Sequence, residues 1–121
     1  MTVPRGSFYA VLGPNGSGKS TLLRALLGMV PHQAGQTQVF GRPVSDWDRR
    51  ALAQEAGVVT QSESVAFPIT VRELVAMGRY PYLGALQSER PTDIEAISEA
   101  MRMCDIENLA QRFLSTLSGG E

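Results

Sequence analysis

Apolar and polar positions along the 121-residue chain fall into short, distinct blocks. Ser7-Phe8-Tyr9-Ala10-Val11-Leu12 is an almost unbroken apolar run with aromatic and β-branched members, which predicts a buried strand. Leu22, Leu23, Leu26 and Leu27 follow at helical spacing, with Gly28 as a C-cap signal and Pro31 as a stop. Gly35–Phe40 predicts a short second strand closed by Gly41-Arg42-Pro43, and Ser45 is placed to cap a helix through Trp47, Ala51 and Leu52. Ala56-Gly57-Val58-Val59-Thr60 predicts another strand, with Gln61 at its end. The pattern then turns helical. Thr70-Val71-Arg72-Glu73 is a capping box leading into Leu74, Val75 and Gly78 before Pro81, and Thr92-Asp93-Ile94-Glu95 repeats it. Ile94, Ile97, Met101 and Cys104 make an apolar stripe that reads Cys104 as a small core residue. Ile106, Leu109, Ala110 and Phe113 predict one further short helix.

The junction of the first strand and helix carries the chemistry. Gly13-Pro14-Asn15-Gly16-Ser17-Gly18-Lys19-Ser20-Thr21 is Gly-x-x-x-x-Gly-Lys-Ser in the strand–loop–helix setting this motif requires. Glycines let a backbone fold into a concave nest of inward N–H groups, and a helix beginning near Gly18 adds its unpaired amides and positive dipole end. Lys19 supplies a point charge for the β- and γ-phosphates, Ser20 a hydroxyl ligand for Mg²⁺, and Thr21 a further hydroxyl on the α- or β-phosphate side. The alternative is a glycine-rich turn with an incidental lysine, but a chance match in a chain this long has a probability of about 0.5%. The loop does not distinguish adenine from guanine.

Composition narrows the picture from outside. The chain is 43% hydrophobic and 19% charged, which excludes a disordered tail, a collagen-like repeat or a coiled coil. A net charge of −1 offers no basic surface for nucleic acid. No apolar run approaches the ~20 residues that span a bilayer, and the opening residues do not read as a signal peptide. The lone Cys104 forms neither an internal disulfide nor a cysteine metal cage, as suits a reducing compartment. Among the 11 basic residues only Lys19 is a lysine.

Three motifs together resemble a family. The phosphate loop, a strand ending in Gln61 and Leu117-Ser118-Gly119-Gly120-Glu121 are similar to the ATP-binding subunits of ABC transporters. The resemblance implies an α/β fold: a partial P-loop NTPase (RecA-like) core over residues 1–66, an ABC helical subdomain over 67–116, and the signature motif at 117–121. It implies ATP held by Gly13, Pro14, Asn15, Gly16, Ser17, Gly18, Lys19, Ser20 and Thr21. Mg²⁺ falls to Ser20 and Gln61, and Lys19 and Gln61 become the catalytic candidates. Ser118, Gly119 and Gly120 would reach the γ-phosphate of nucleotide on a second copy, giving a head-to-tail dimer. The other implied partners are membrane permease subunits, which sets the subunit in the cytoplasm on the inner face of the plasma membrane. Phe67-Pro68-Ile69-Thr70-Val71-Arg72-Glu73-Leu74-Val75-Ala76-Met77-Gly78-Arg79-Tyr80-Pro81-Tyr82 resembles importers of iron-siderophore, haem or cobalamin, and zinc and manganese importers share part of it.

Several residues carry plainer readings. Trp47 reads as a packing residue and His32 as a surface-loop residue, while Tyr80 and Tyr82 fit either packing or a permease contact. Glu121 ends the signature and is not the family's water-polarising glutamate. The family's aspartate-ended strand, that glutamate, its switch histidine and its adenine-stacking aromatic match no residue here. The resulting expectation is that the chain alone does not hydrolyse ATP and stays aggregated or partly molten, because the central sheet has a gap. Two other readings compete with an importer subunit: a non-transport ABC ATPase of DNA repair or translation, and a non-enzymatic remnant.

Overall fold

The computed structural model describes residues 1–31, 34–59, 67–84, 86–118 and 120–121. They fall into two units, Met1–Leu52 and Ala53–Glu121.

In the first unit, helix α1 spans Lys19–Leu26, with Gly18 as its N-cap at φ 88°. Its end is set by Gly28, at φ 68°. The Gly28 amide donates to the Ala25 carbonyl at 3.0 Å and the Met29 amide to Arg24 at 2.8 Å, the paired bonds of a Schellman motif. Strands β1 (Gln38–Val39) and β2 (Arg42–Pro43) form an antiparallel hairpin with Val39 opposite Arg42. Phe40 at φ 51° and Gly41 at φ 79° both lie in the left-handed region, as a two-residue type I′ turn demands. Gly41-Arg42-Pro43 therefore begins the second arm and does not merely close the first.

The strand expected over Ser7–Leu12 does not form. Phe8 is 97% exposed and Leu12 90%, and among the described residues no strand lies beside them. The same holds for Ala56–Val59 of the strand expected over Ala56–Thr60, where Val59 is 99% exposed and Thr60 lies outside the described residues. An apolar run becomes a strand only when a neighbour takes its N–H and C=O groups. The helix expected from Ser45 is displaced as well. Val44–Asp46 is a 3₁₀ turn, and helix α2 spans Arg49–Glu55. Asp48 caps it by accepting from the Arg50 and Ala51 amides at 3.0 and 3.1 Å. Trp47 is half-buried with the Arg42 guanidinium 5.1 Å from its ring centre, consistent with a packing role.

The second unit is built on side chains. Helix α3 spans Val71–Met77 and carries the expected capping box: the Glu73 amide donates to Thr70 Oγ1 at 3.3 Å, and the Thr70 amide to Glu73 Oε2 at 2.7 Å. It stops at Gly78, ahead of Pro81, and Tyr80–Tyr82 forms a 3₁₀ turn. Helix α4 spans Pro91–Met103. Its start belongs to Arg90 and Asp93 in place of Thr92 and Glu95. Pro91 sits at the first helical position, and Asp93 accepts from the Arg90 amide at 3.0 Å. Val71, Ala76, Ile97 and Met101 make the core, with Val75, Ile106, Leu109, Ala110, Leu114 and Leu117 packed on it. Thr70 and Phe113 form a β-bridge that brings the chain after α4 back to the start of α3.

The α4 stripe is rotated from its predicted phase. Its buried members are Asp93, Ile97 and Met101, whereas Ile94 is half-exposed and Cys104 exposed. Cys104 is the C-cap, and the next residue, Asp105, takes φ 55°. The helical phase ends there, so Cys104 is not a core residue. The Ile106 amide donates to Met101 at 3.0 Å, a second Schellman turn, and folds Ile106 back onto the core. The helix expected over residues 106–113 reduces to a 3₁₀ turn, Glu107–Leu109.

Candidate functional site: the glycine loop and the Ser118 turn

Residues 13–21 form the first cluster. Gly16 and Gly18 take φ 81° and 88°, and the Ser17 amide donates to Pro14 at 3.2 Å, coiling the loop tightly. At Gly13 the reason differs: a Cβ there would lie 2.6 Å from Ser17 Oγ and force that hydroxyl to turn away. The half-buried Lys19 turns back over the loop. Its ammonium donates to the Gly13 and Pro14 carbonyls at 2.7 and 2.8 Å and to Ser17 Oγ at 3.5 Å. A lysine held at the head of α1 by carbonyls of its own loop is a cation fixed beside helix-start amides. The first turn of α1 holds no acidic residue to repel an anion. Helix-start amides and an ammonium are the donor types a polyphosphate takes, the ammonium here bonded to its own loop, and Ser20, exposed in that first turn, is an oxygen ligand of the kind Mg²⁺ takes. The residues present therefore fit a Mg²⁺–nucleotide.

Ser118 lies in the second unit. Its amide and hydroxyl both donate to Glu121 Oε2, each at 2.8 Å, while Glu121 Oε1 accepts from Arg112 at 2.9 Å. Those two Ser118 bonds, and then the Arg112 guanidinium, hold the Glu121 carboxyl below the usual carboxylate range. Gln61 and Gly119 lie outside the described residues, as does His32.

The match with a known domain pattern extends over the chain, the glycine loop included. The model of the ABC transporter family matches residues 1–121. The chain belongs to the ABC transporter family. Among curated ABC proteins, the Hemin import ATP-binding protein HmuV of Streptomyces coelicolor is 46% identical over 121 residues, all of this chain and 42% of that protein. The protein of the same name from Escherichia coli O157:H7 is 40% identical over 121 residues, covering 45% of its own length. The uncharacterized ABC transporter ATP-binding protein YvrA of Bacillus subtilis is 42% identical over 122 residues, 28% of its length. The chain thus spans less than half the length of these ABC relatives. Family membership brings a P-loop NTPase fold. Among the described residues no helix is long and apolar enough to cross a membrane, and no cluster of three metal-ligating side chains occurs.

Two arrangements escaped the sequence reading. Asp93, fully buried, accepts from Arg79 Nε at 3.0 Å and from the Arg90 amide at 3.0 Å. Arg79 in turn lies 3.9 Å from the Tyr82 ring centre, and Tyr82 donates its hydroxyl to the Gln54 carbonyl at 3.1 Å. This gives Tyr82 a packing role, while Tyr80 stays 63% exposed. Periodicity cannot find such a network, since it ranks a carboxylate as surface. The Ser118–Glu121 contact did leave a signal: Ser-x-x-Glu has the same form as Thr70-x-x-Glu73.

Proposed function

We propose that the chain is the nucleotide-binding part of an ABC importer ATPase, powering uptake of an iron-bearing or related chelate: haem first, with iron-siderophore and cobalamin in the same class. The Lys19 ammonium, anchored on the Gly13 and Pro14 carbonyls beside the start of α1, is the observation that carries this reading. Two hemin-import relatives at 40% and 46% identity support the substrate class.

In this reading the loop 13–18 and the first amides of α1 bind the polyphosphate, and Lys19 holds charge at its β- and γ-oxygens. Ser20 and Gln61 are the residues that would hold Mg²⁺. When bound, that ion neutralises charge developing on the transferred phosphoryl group. Ser118, Gly119 and Gly120 serve the γ-phosphate of ATP on a second copy, in a head-to-tail pair at the cytoplasmic face of the membrane. Residues 1–66 form part of the RecA-like core, and 67–116 form the helical subdomain that meets the permease.

The test is a titration with a fluorescent ATP analogue. Binding that requires Mg²⁺ and falls at least tenfold in Lys19→Ala is the expected result, in line with loss of a charge-assisted contact. Equal binding by Lys19→Ala overturns the site. Cells with the gene deleted should lose haem uptake and keep zinc uptake, and the reverse outcome would move the substrate class.

A further inference from the structure

Ser118 has two donors, its amide and its hydroxyl, and the structure commits both to one oxygen of Glu121 at 2.8 Å. The other oxygen of that carboxylate is braced by Arg112 at 2.9 Å. Arg112 is itself anchored: its second guanidinium nitrogen donates to the Thr116 carbonyl at 2.7 Å, and its own carbonyl accepts from the Val71 amide at 3.0 Å. The brace therefore reaches the bridge that closes the core of the second unit.

The Thr70–Glu73 box shows what is different here. Thr70 also donates its hydroxyl to its glutamate, at 2.8 Å, yet the same hydroxyl accepts from the Glu73 amide at 3.3 Å and so caps α3. At Ser118 the Glu121 amide goes to the Ser118 carbonyl instead, at 3.1 Å. Among the described residues, the serine hydroxyl serves the carboxylate alone.

A hydroxyl has one proton to donate, and a carboxylate and a phosphate are both anionic oxygen acceptors. We propose that Glu121 is an internal anion that occupies the donors of Ser118, braced by Arg112, so that a nucleotide γ-phosphate engages Ser118 only by displacing it. The inference rests on the reading of Ser118 as a γ-phosphate contact. It makes Glu121 a brake on ATP engagement, acting through competition for the same protons and through like-charge repulsion.

The experiment uses the assembled transporter, comparing wild type with Glu121→Gln, Ser118→Ala and the double variant. Hydrolysis is measured as a function of ATP, and ADP affinity by competition. Glu121→Gln should lower half-saturating ATP about threefold, the scale of an exposed charged contact, and leave ADP affinity unchanged because ADP lacks the γ-phosphate. In the Ser118→Ala background the same substitution should have a smaller effect, because the hydroxyl is gone while the amide and the carboxylate charge remain, and a general structural role would leave the two effects equal. Half-saturating ATP that stays constant in Glu121→Gln overturns the proposal. So does a rise, which would make Glu121 a group that positions Ser118. If Glu121→Gln fails to assemble, Glu121→Asp, one methylene too short to span the same contacts, carries the same direction with a smaller size because its charge remains. Lys19→Ala separates the two levels: full hydrolysis in that variant would sink the nucleotide reading itself, whatever Glu121 does.

Discussion

The glycine loop and the α3–α4 unit reach order by opposite means. Around Gly13–Gly18 nothing is buried in a core; shape comes from positive φ at Gly16 and Gly18, a close approach of the Ser17 hydroxyl to Gly13, and a lysine bonded to its own loop. Between Ile69 and Leu117 shape comes from side chains, with Ile97 2% exposed and Val71 4%, and with a carboxylate locked among arginines. The first arrangement leaves its residues at the surface. The second packs a small set of side chains on one another and leaves others, such as Tyr80 and Met103, exposed.

Substitutions should therefore separate stability from binding. Ile97→Ala has the largest expected effect, a loss of about 2–5 kcal/mol from the transfer and cavity terms, read as a fall in the denaturant midpoint of the helical signal. Loss under ~1 kcal/mol would mean that the α3–α4 core is not the stabilising centre. Lys19→Ala should do the reverse, cutting nucleotide affinity by tenfold or more while the same midpoint moves by less than about 0.5 kcal/mol. Thr70→Ala, which removes the cap of α3, should cost about 1 kcal/mol. Gly28→Ala should cost a similar or smaller amount, about 1 kcal/mol, because φ 68° disfavours a Cβ that would also meet Val44 at 3.3 Å.

Acid should act on the second unit. The Arg90 amide, then the Arg79 and Arg90 side chains, outweigh burial and hold Asp93 below its ordinary value, and Thr70 does the same for Glu73. A depressed carboxylate binds fewer protons folded than unfolded, so its stabilisation is complete above the ordinary carboxylate range of about pH 4. It is lost as pH falls through the lower folded value. The α3–α4 helical signal should therefore weaken below about pH 4, and Asp93→Asn should flatten that dependence.

Much of this was legible in local sequence because its causes are local. The Thr70–Glu73 box, the Gly28 terminus and the glycine loop each depend on a few consecutive residues whose backbone preferences and side-chain reach do not need the rest of the molecule. The same reasoning failed wherever a distant partner decides. Phe8 and Val59 have strand composition, but pairing is a property of two segments, and no strand lies beside either among the described residues. Ser45 and Asp48 are both competent caps, and the 3₁₀ turn over Val44–Asp46 gives the role to Asp48.

The residue pattern alone determined the glycine loop, its lysine and the capped start of α3, since short-range sterics and hydrogen bonding admit few alternatives there. Only the tertiary structure decided that Asp93 lies at the centre of an arginine network, that Cys104 faces outward and that Arg112 braces Glu121 against Ser118. Each of these depends on which residues distant in the chain come within hydrogen-bond reach, and periodicity measures only a residue's own helix or strand.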